Sequence, residues 1–118
     1  MSEHDHQVTV FQWAELQERT YPELAALFAV PNGSNKSKAV AGRMRAEGLK
    51  SGVPDICLPV ARGKYGALFI EMKDGNKKPT ENQVAWMEML DRFGNCVAIC
   101  QSASEAIKTL EWYLMGAQ

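Results

Sequence analysis

Apolar positions recur along the chain with two different periods, and the change between them separates helices from strands. Near the N-terminus Val8, Phe11, Ala14 and Leu16 return at helical spacing, which predicts an amphipathic helix running to about Arg19. Ser2 or Asp5 can cap it, and Tyr21-Pro22 ends it, because the residue before a proline is pushed out of the helical region. Leu24 to Val30 is apolar throughout and fits a short helix or a strand equally well. Pro31-Asn32-Gly33-Ser34-Asn35 either fixes φ or tolerates left-handed backbone, so it reads as a loop. A basic helix from about Ser37 to Glu47 follows, with Gly48 as its C-terminal cap.

The centre has a shorter period. Asp55 to Val60 and Ala67 to Lys73 are compact apolar runs joined by Ala61 to Gly66, the pattern of a β-hairpin. In the second run Leu68, Ile70 and Met72 point one way, and Phe69, Glu71 and Lys73 the other. Two charged groups therefore share one face of an otherwise apolar strand. Beyond the polar loop Asp74 to Pro79, Thr80 opens a helix with Val84, Met87, Leu90 and Asp91 along one side, ended by Gly94-Asn95. Cys96 to Cys100 reads as a third strand, and Ser102 starts a last helix with Ala106, Ile107, Leu110 and Leu114 facing inward. The order predicts an α/β (α+β) architecture, a small central mixed sheet flanked by helices.

Composition narrows the class. The chain has 118 residues, 46% apolar and 23% charged, which suits one compact domain over 1–118 and excludes disordered and fibrous classes. No apolar run is long enough to span a bilayer, and Met1 to His6 lacks the basic and apolar regions of a signal peptide, so a soluble intracellular protein with no membrane partner is expected. Cys57, Cys96 and Cys100 fall in apolar segments without a CxxC pair and read as reduced core residues. The net charge of −1 conceals an asymmetry: residues 1–30 carry five acidic groups against Arg19, whereas residues 32–52 carry Lys36, Lys38, Arg43, Arg45 and Lys50 against Glu47. Neither GxxxxGK[ST] nor GxGxxG occurs, which argues against a nucleotide cofactor.

Chemistry concentrates in Gly52-Val53-Pro54-Asp55, Glu71-Met72-Lys73 and Gln83. Alone, the first is an ordinary turn before a strand and the second an ordinary exposed pair. A hairpin, however, brings Asp55 at the start of one strand beside Glu71 near the end of the other. Two carboxylates with water in the remaining positions suit a hard divalent cation such as Mg²⁺. Lys73, on the same face, is within reach of a water attacking a phosphate and of the charge that grows there. Thr80-x-x-Gln83 is also a capping box, so Gln83 has a structural competitor for its side chain. His4 and His6, in the N-terminal segment, read as solvated side chains rather than metal ligands.

Pro54-Asp55 followed by Glu71-Met72-Lys73 resembles the PD-(D/E)xK motif of the restriction-endonuclease-like nucleases. More narrowly, Pro31-Asn32-Gly33, Gly48 to Asp55, Leu68 to Lys73, Gln83 with Trp86, and Glu105-Ala106 with Tyr113-Leu114 look like the VRR-NUC family, in the small stand-alone form found in phages and prophages. The resemblance runs over nearly the whole chain. It implies a restriction-endonuclease-like fold and a Mg²⁺- or Mn²⁺-dependent, structure-selective DNA endonuclease of the cytoplasm. Asp55, Glu71 and the main-chain carbonyl of Met72 would hold the metal, and Lys73 would serve the attacking water. A first-helix glutamate joins such sites: Glu3, followed by Gln7 one turn later, fits best, with Glu15 and Glu18 as alternatives. Gln83 would stand at the edge of the site. Small members look like homodimers acting on branched DNA such as four-way junctions, and Trp13, Trp112, Tyr113 and Met115 are the apolar candidates for a dimer contact. Beside such a site, Asn32, Lys36, Lys38, Arg43, Arg45 and Lys50 read as a surface for the DNA backbone. A module that binds branched DNA without cutting it, and an enzyme acting on another phosphorylated substrate, are the competing classes.

Overall fold

Four strands form one sheet in chain order: β1 (Phe28–Ala29), β2 (Ile56–Leu58), β3 (Leu68–Met72) and β4 (Cys96–Cys100). The computed structural model describes residues 1–31 and 37–116. β1, β2 and β3 pair antiparallel, whereas β4 runs parallel to β3. A parallel neighbour needs a crossover, supplied here by a helix between β3 and β4. The helices are α1 (Glu3–Leu16), α2 (Lys38–Ala46), α3 (Glu81–Arg92) and α4 (Ala103–Leu114). The small mixed sheet flanked by helices is as the sequence predicts.

Local chemistry explains the boundaries. Ser2 caps α1 by accepting from the Asp5 N–H, and the Asp5 carboxylate accepts from the Ser2 N–H in return, so both proposed caps act in one capping box. Gly48, at φ +107°, ends α2 as expected and lets the Leu49 N–H donate back to the Met44 carbonyl at 2.8 Å.

The core forms where β2 and β3 meet α1 and α4. Ile56, Leu58, Leu68, Ile70 and Met72 cluster with Val10, Ala14, Ala106, Leu110 and Tyr113, all at or below 3% exposure. Each large apolar side chain so buried contributes roughly 1.5–3 kcal/mol relative to an exposed one. Cys57, Cys96 and Cys100 are free and buried.

Several expectations change. α1 ends at Leu16 rather than near Arg19, and its buried stripe is Val10 and Ala14, while Val8 and Leu16 are exposed. Helical spacing fixes an interval, not which of two overlapping stripes meets a neighbour. Leu24 to Val30 is not one element, because a 3-10 turn, Pro22–Ala26, precedes β1. α3 buries no residue, and Val84, Met87 and Asp91 border an open groove with Val97 and Ile99. In α4 Ile107 is only half-buried. Tyr113 is completely buried, and its hydroxyl donates to the Val60 carbonyl at 2.5 Å, so it is no dimer contact; Trp112 and Met115 are exposed. His6 is not a free solvated side chain: its Nδ1 accepts from the Ala103 N–H at 3.0 Å and ties α1 to the start of α4. Among the described residues, no helix is long and apolar enough to cross a membrane.

Candidate active site

The β2–β3 register builds the site. Ile56 lies opposite Ile70, so continuing one residue sets Asp55 opposite Glu71, and continuing two sets Pro54 opposite Met72. Residues directly opposite share a face, and the two carboxyls converge. The Met72 N–H donates to Asp55 Oδ2 at 2.8 Å, so a side chain takes the ladder position that a backbone carbonyl would fill. Pro54 has no N–H to return, which leaves the Met72 carbonyl without its cross-strand donor. The Pro-Asp pair thus both supplies a carboxylate and withholds a backbone hydrogen bond.

The electrostatics of the Asp55 and Glu71 pair are set by burial. Glu71 is 2% exposed, and its Oε1 is buried with no hydrogen-bond partner among the described residues. Its other oxygen, Oε2, lies 3.5 Å from Lys73 Nζ. Burial, and then the neighbouring Asp55 charge, push the Glu71 carboxyl up to about 7 despite Lys73. Burial likewise raises Asp55, and Glu3 adds to the rise, while the Met72 N–H opposes it. Two desolvated carboxyls with one orphaned oxygen cost free energy unless a cation or proton is placed between them. The donor set of Asp55, Glu71 and the Met72 carbonyl fits a hard divalent ion that keeps several waters.

Glu3 stands beside this pair rather than within it. Its Oε2 accepts from the Asp74 N–H at 3.1 Å, and among the described residues no group of three His, Cys, Asp or Glu side chains is gathered to hold a metal. Glu3, Gln7, Phe11 and Glu15 line one wall of a cleft of about 570 Å³ that reaches Asp55. Glu15 is twelve residues farther along the helix, about 18 Å at 1.5 Å per residue, and Glu18 lies beyond the end of α1. Of the three candidate glutamates, Glu3 is the one bonded to the turn that follows the strand carrying Glu71.

The segment leading into Asp55 is pinned from α3. Asn82 Nδ2 donates to the Ser51 carbonyl at 2.9 Å and to its hydroxyl at 2.7 Å. Gly52 sits at φ +90°, and a Cβ there would lie 2.9 Å from the Asn82 side chain, so only glycine fits this approach. Nothing in the sequence pattern marks Asn82, because its role exists only once α3 is folded beside the turn. Pro54 was in the motif, but its missing N–H acquires meaning only from the register.

Gln83 is engaged at the helix start. Its Oε1 accepts from the Thr80 N–H at 2.9 Å, and its own N–H donates to Thr80 Oγ1. No hydrogen bond among the described residues links it to Asp55, Glu71 or Lys73. Gln83→Glu keeps an acceptor for the Thr80 N–H and is expected to leave the melting temperature unchanged, whereas Gln83→Ala, which loses that bond, should lower it. Lys38, Arg43, Arg45 and Lys50 are exposed, on and just after α2, a helix with no buried residue. Asn32 and Lys36 lie outside the described residues.

The family model described as "VRR-NUC domain" matches residues 1–104. The chain belongs to the VRR-NUC family. A solved structure titled "VRR_NUC domain protein" is similar at a TM-score of 0.82 and 28% identity, over 98% of this chain and 89% of that one. No curated protein matches. The four-stranded sheet of this VRR-NUC chain, with its helices, is accordingly restriction-endonuclease-like, and the domain is of nuclease type.

Proposed function

We propose that this VRR-NUC protein is a Mg²⁺- or Mn²⁺-dependent endonuclease that hydrolyses phosphodiester bonds in branched DNA, such as four-way junctions, as a homodimer. The observation that carries the reading is the buried, unpartnered Glu71 oxygen beside Asp55 and Lys73. Asp55, Glu71 and the Met72 carbonyl would hold the cation, which when bound supplies charge for a phosphate oxygen and a more acidic water. The Lys73 ammonium is positioned to orient the attacking water and to offset charge growing on the phosphate. Asp55 keeps its orientation through the Met72 N–H, and the Asn82–Ser51 contact holds the turn that delivers it. The exposed cations of Lys38, Arg43, Arg45 and Lys50 supply sequence-independent attraction to the backbone. Two strands at a junction call for two such sites, which favours a two-fold pair.

Labelled four-way junction, flap and duplex DNA incubated with Mg²⁺, Mn²⁺ or EDTA test this reading. Cleavage is expected with either metal, absent in EDTA and fastest on the branched forms, with light scattering giving about twice the 13.1 kDa chain mass. Binding without metal-dependent cutting would replace the nuclease by a DNA-binding module.

A further inference from the structure

The nuclease reading leaves the charge of the cleft unbalanced. The α1 wall presents Glu3 and Glu15 with His4 and neutral Gln7 and Gln12, and Asp55 also lines the cleft. A phosphodiester entering beside Asp55 therefore meets carboxylates on two sides. Lys73, the cation beside the cleaved phosphate, also pairs with Glu71 at 3.5 Å. The turn after β3 brings a second cation to the same place. Glu3 accepts from the Asp74 N–H, Gly75 adopts φ +56°, and the Lys77 N–H donates to the Asp74 carbonyl at 3.2 Å. This turn sets Lys77 Nζ 4.0 Å from Glu3 Oε2, with the Lys77 side chain 69% exposed. The backbone is fixed while the ammonium stays hydrated. So loose and exposed an ion pair contributes little, and a DNA phosphate can displace Glu3 from it at little cost.

We propose that the turn between β3 and α3 is a phosphate-binding element, in which Lys77 leaves Glu3 to take a backbone phosphate flanking the one that is cleaved. This rests on the nuclease reading and adds a DNA contact outside the basic segment from Lys36 to Lys50. Neutralising one phosphate releases its counterion, so the contact has a signature in salt dependence as well as in affinity.

The test is binding of fluorescein-labelled junction and duplex DNA, measured by anisotropy in EDTA across a salt series, for the full chain. Lys77→Ala is expected to flatten the slope of log affinity against log salt by about 0.9. Its deficit against wild type should narrow about 3.5-fold between roughly 50 and 200 mM salt. Lys77→Arg should restore the slope, and Lys64→Ala, in the connection at the opposite end of β3, should leave it unchanged. Glu3→Gln separates the proposal from a structural one. Freeing Lys77 should hold or tighten binding, whereas weakening like that of Lys77→Ala would mean that Lys77 acts only by restraining Glu3, and would overturn the proposal. A wild-type slope in Lys77→Ala overturns it too while leaving the nuclease reading intact; failure of the wild type to bind DNA overturns both.

Discussion

Glu71→Gln is expected to abolish metal-dependent cleavage while making the metal-free protein more stable at neutral pH. The substitution keeps the shape of a side chain that is 2% exposed but removes a charge from beside Asp55. Loss of a metal ligand forfeits several kcal/mol of transition-state stabilisation, about 10³-fold or more in rate. The stability change has a defined pH window. The Glu71 carboxyl is raised from 4.5 to about 7 on folding. Between those values the unfolded chain has lost the proton and the folded chain keeps it, so the folded state binds more protons and stability falls as pH rises. The full shift corresponds to about 3 kcal/mol lost across the window. Urea melts of the metal-free wild type should show this decline between pH 4.5 and 7, and those of Glu71→Gln should be flatter. Because the cation needs the deprotonated form, Mg²⁺ affinity of the wild type should climb over the same interval. Wild-type cleavage by Glu71→Gln in Mg²⁺, or identical pH profiles for the two proteins, would remove Glu71 from the metal site.

Lys73→Ala is expected to lower the cleavage rate at saturating DNA by about 10²–10³-fold, with a smaller change in DNA affinity. A donor aimed at developing charge acts mainly in the transition state, so its loss appears in kcat. Lys73 also restrains the pKa of Glu71, being the first of the influences that lower it. Its removal should therefore raise the pH needed for half-maximal metal binding. Single-turnover rates measured across pH at saturating and limiting Mg²⁺ divide the two roles. Higher pH with excess metal should recover the binding component and leave the rate deficit. Full recovery would make Lys73 a residue that tunes Glu71 and nothing more.

Much of this protein is legible without coordinates because its determinants are short in range. Alternation in Leu68 to Lys73 specifies a strand with Glu71 and Lys73 on one face; the Ser2 and Thr80 patterns specify helix starts; Gly48 specifies a helix end. Asp55 and Glu71 could be paired because a hairpin links neighbouring strands with few geometric alternatives. The resemblance to the VRR-NUC family likewise rests on short motifs, each legible within a few residues of sequence. Packing decided the rest. Val10 and Ala14 displaced Val8 and Leu16 as the buried stripe of α1, since which face is covered depends on where α4 and the sheet lie. Tyr113 went into the core because Val60, more than fifty residues away, offers its hydroxyl a carbonyl. The desolvation that lifts Glu71, the carbonyl of Met72 left free by Pro54, and the meeting of Glu3 with Lys77 all arise between segments distant in sequence. Such contacts fix the charge state and orientation of the site, and no local pattern encodes them because their free energies depend on burial and distance that exist only in the folded chain.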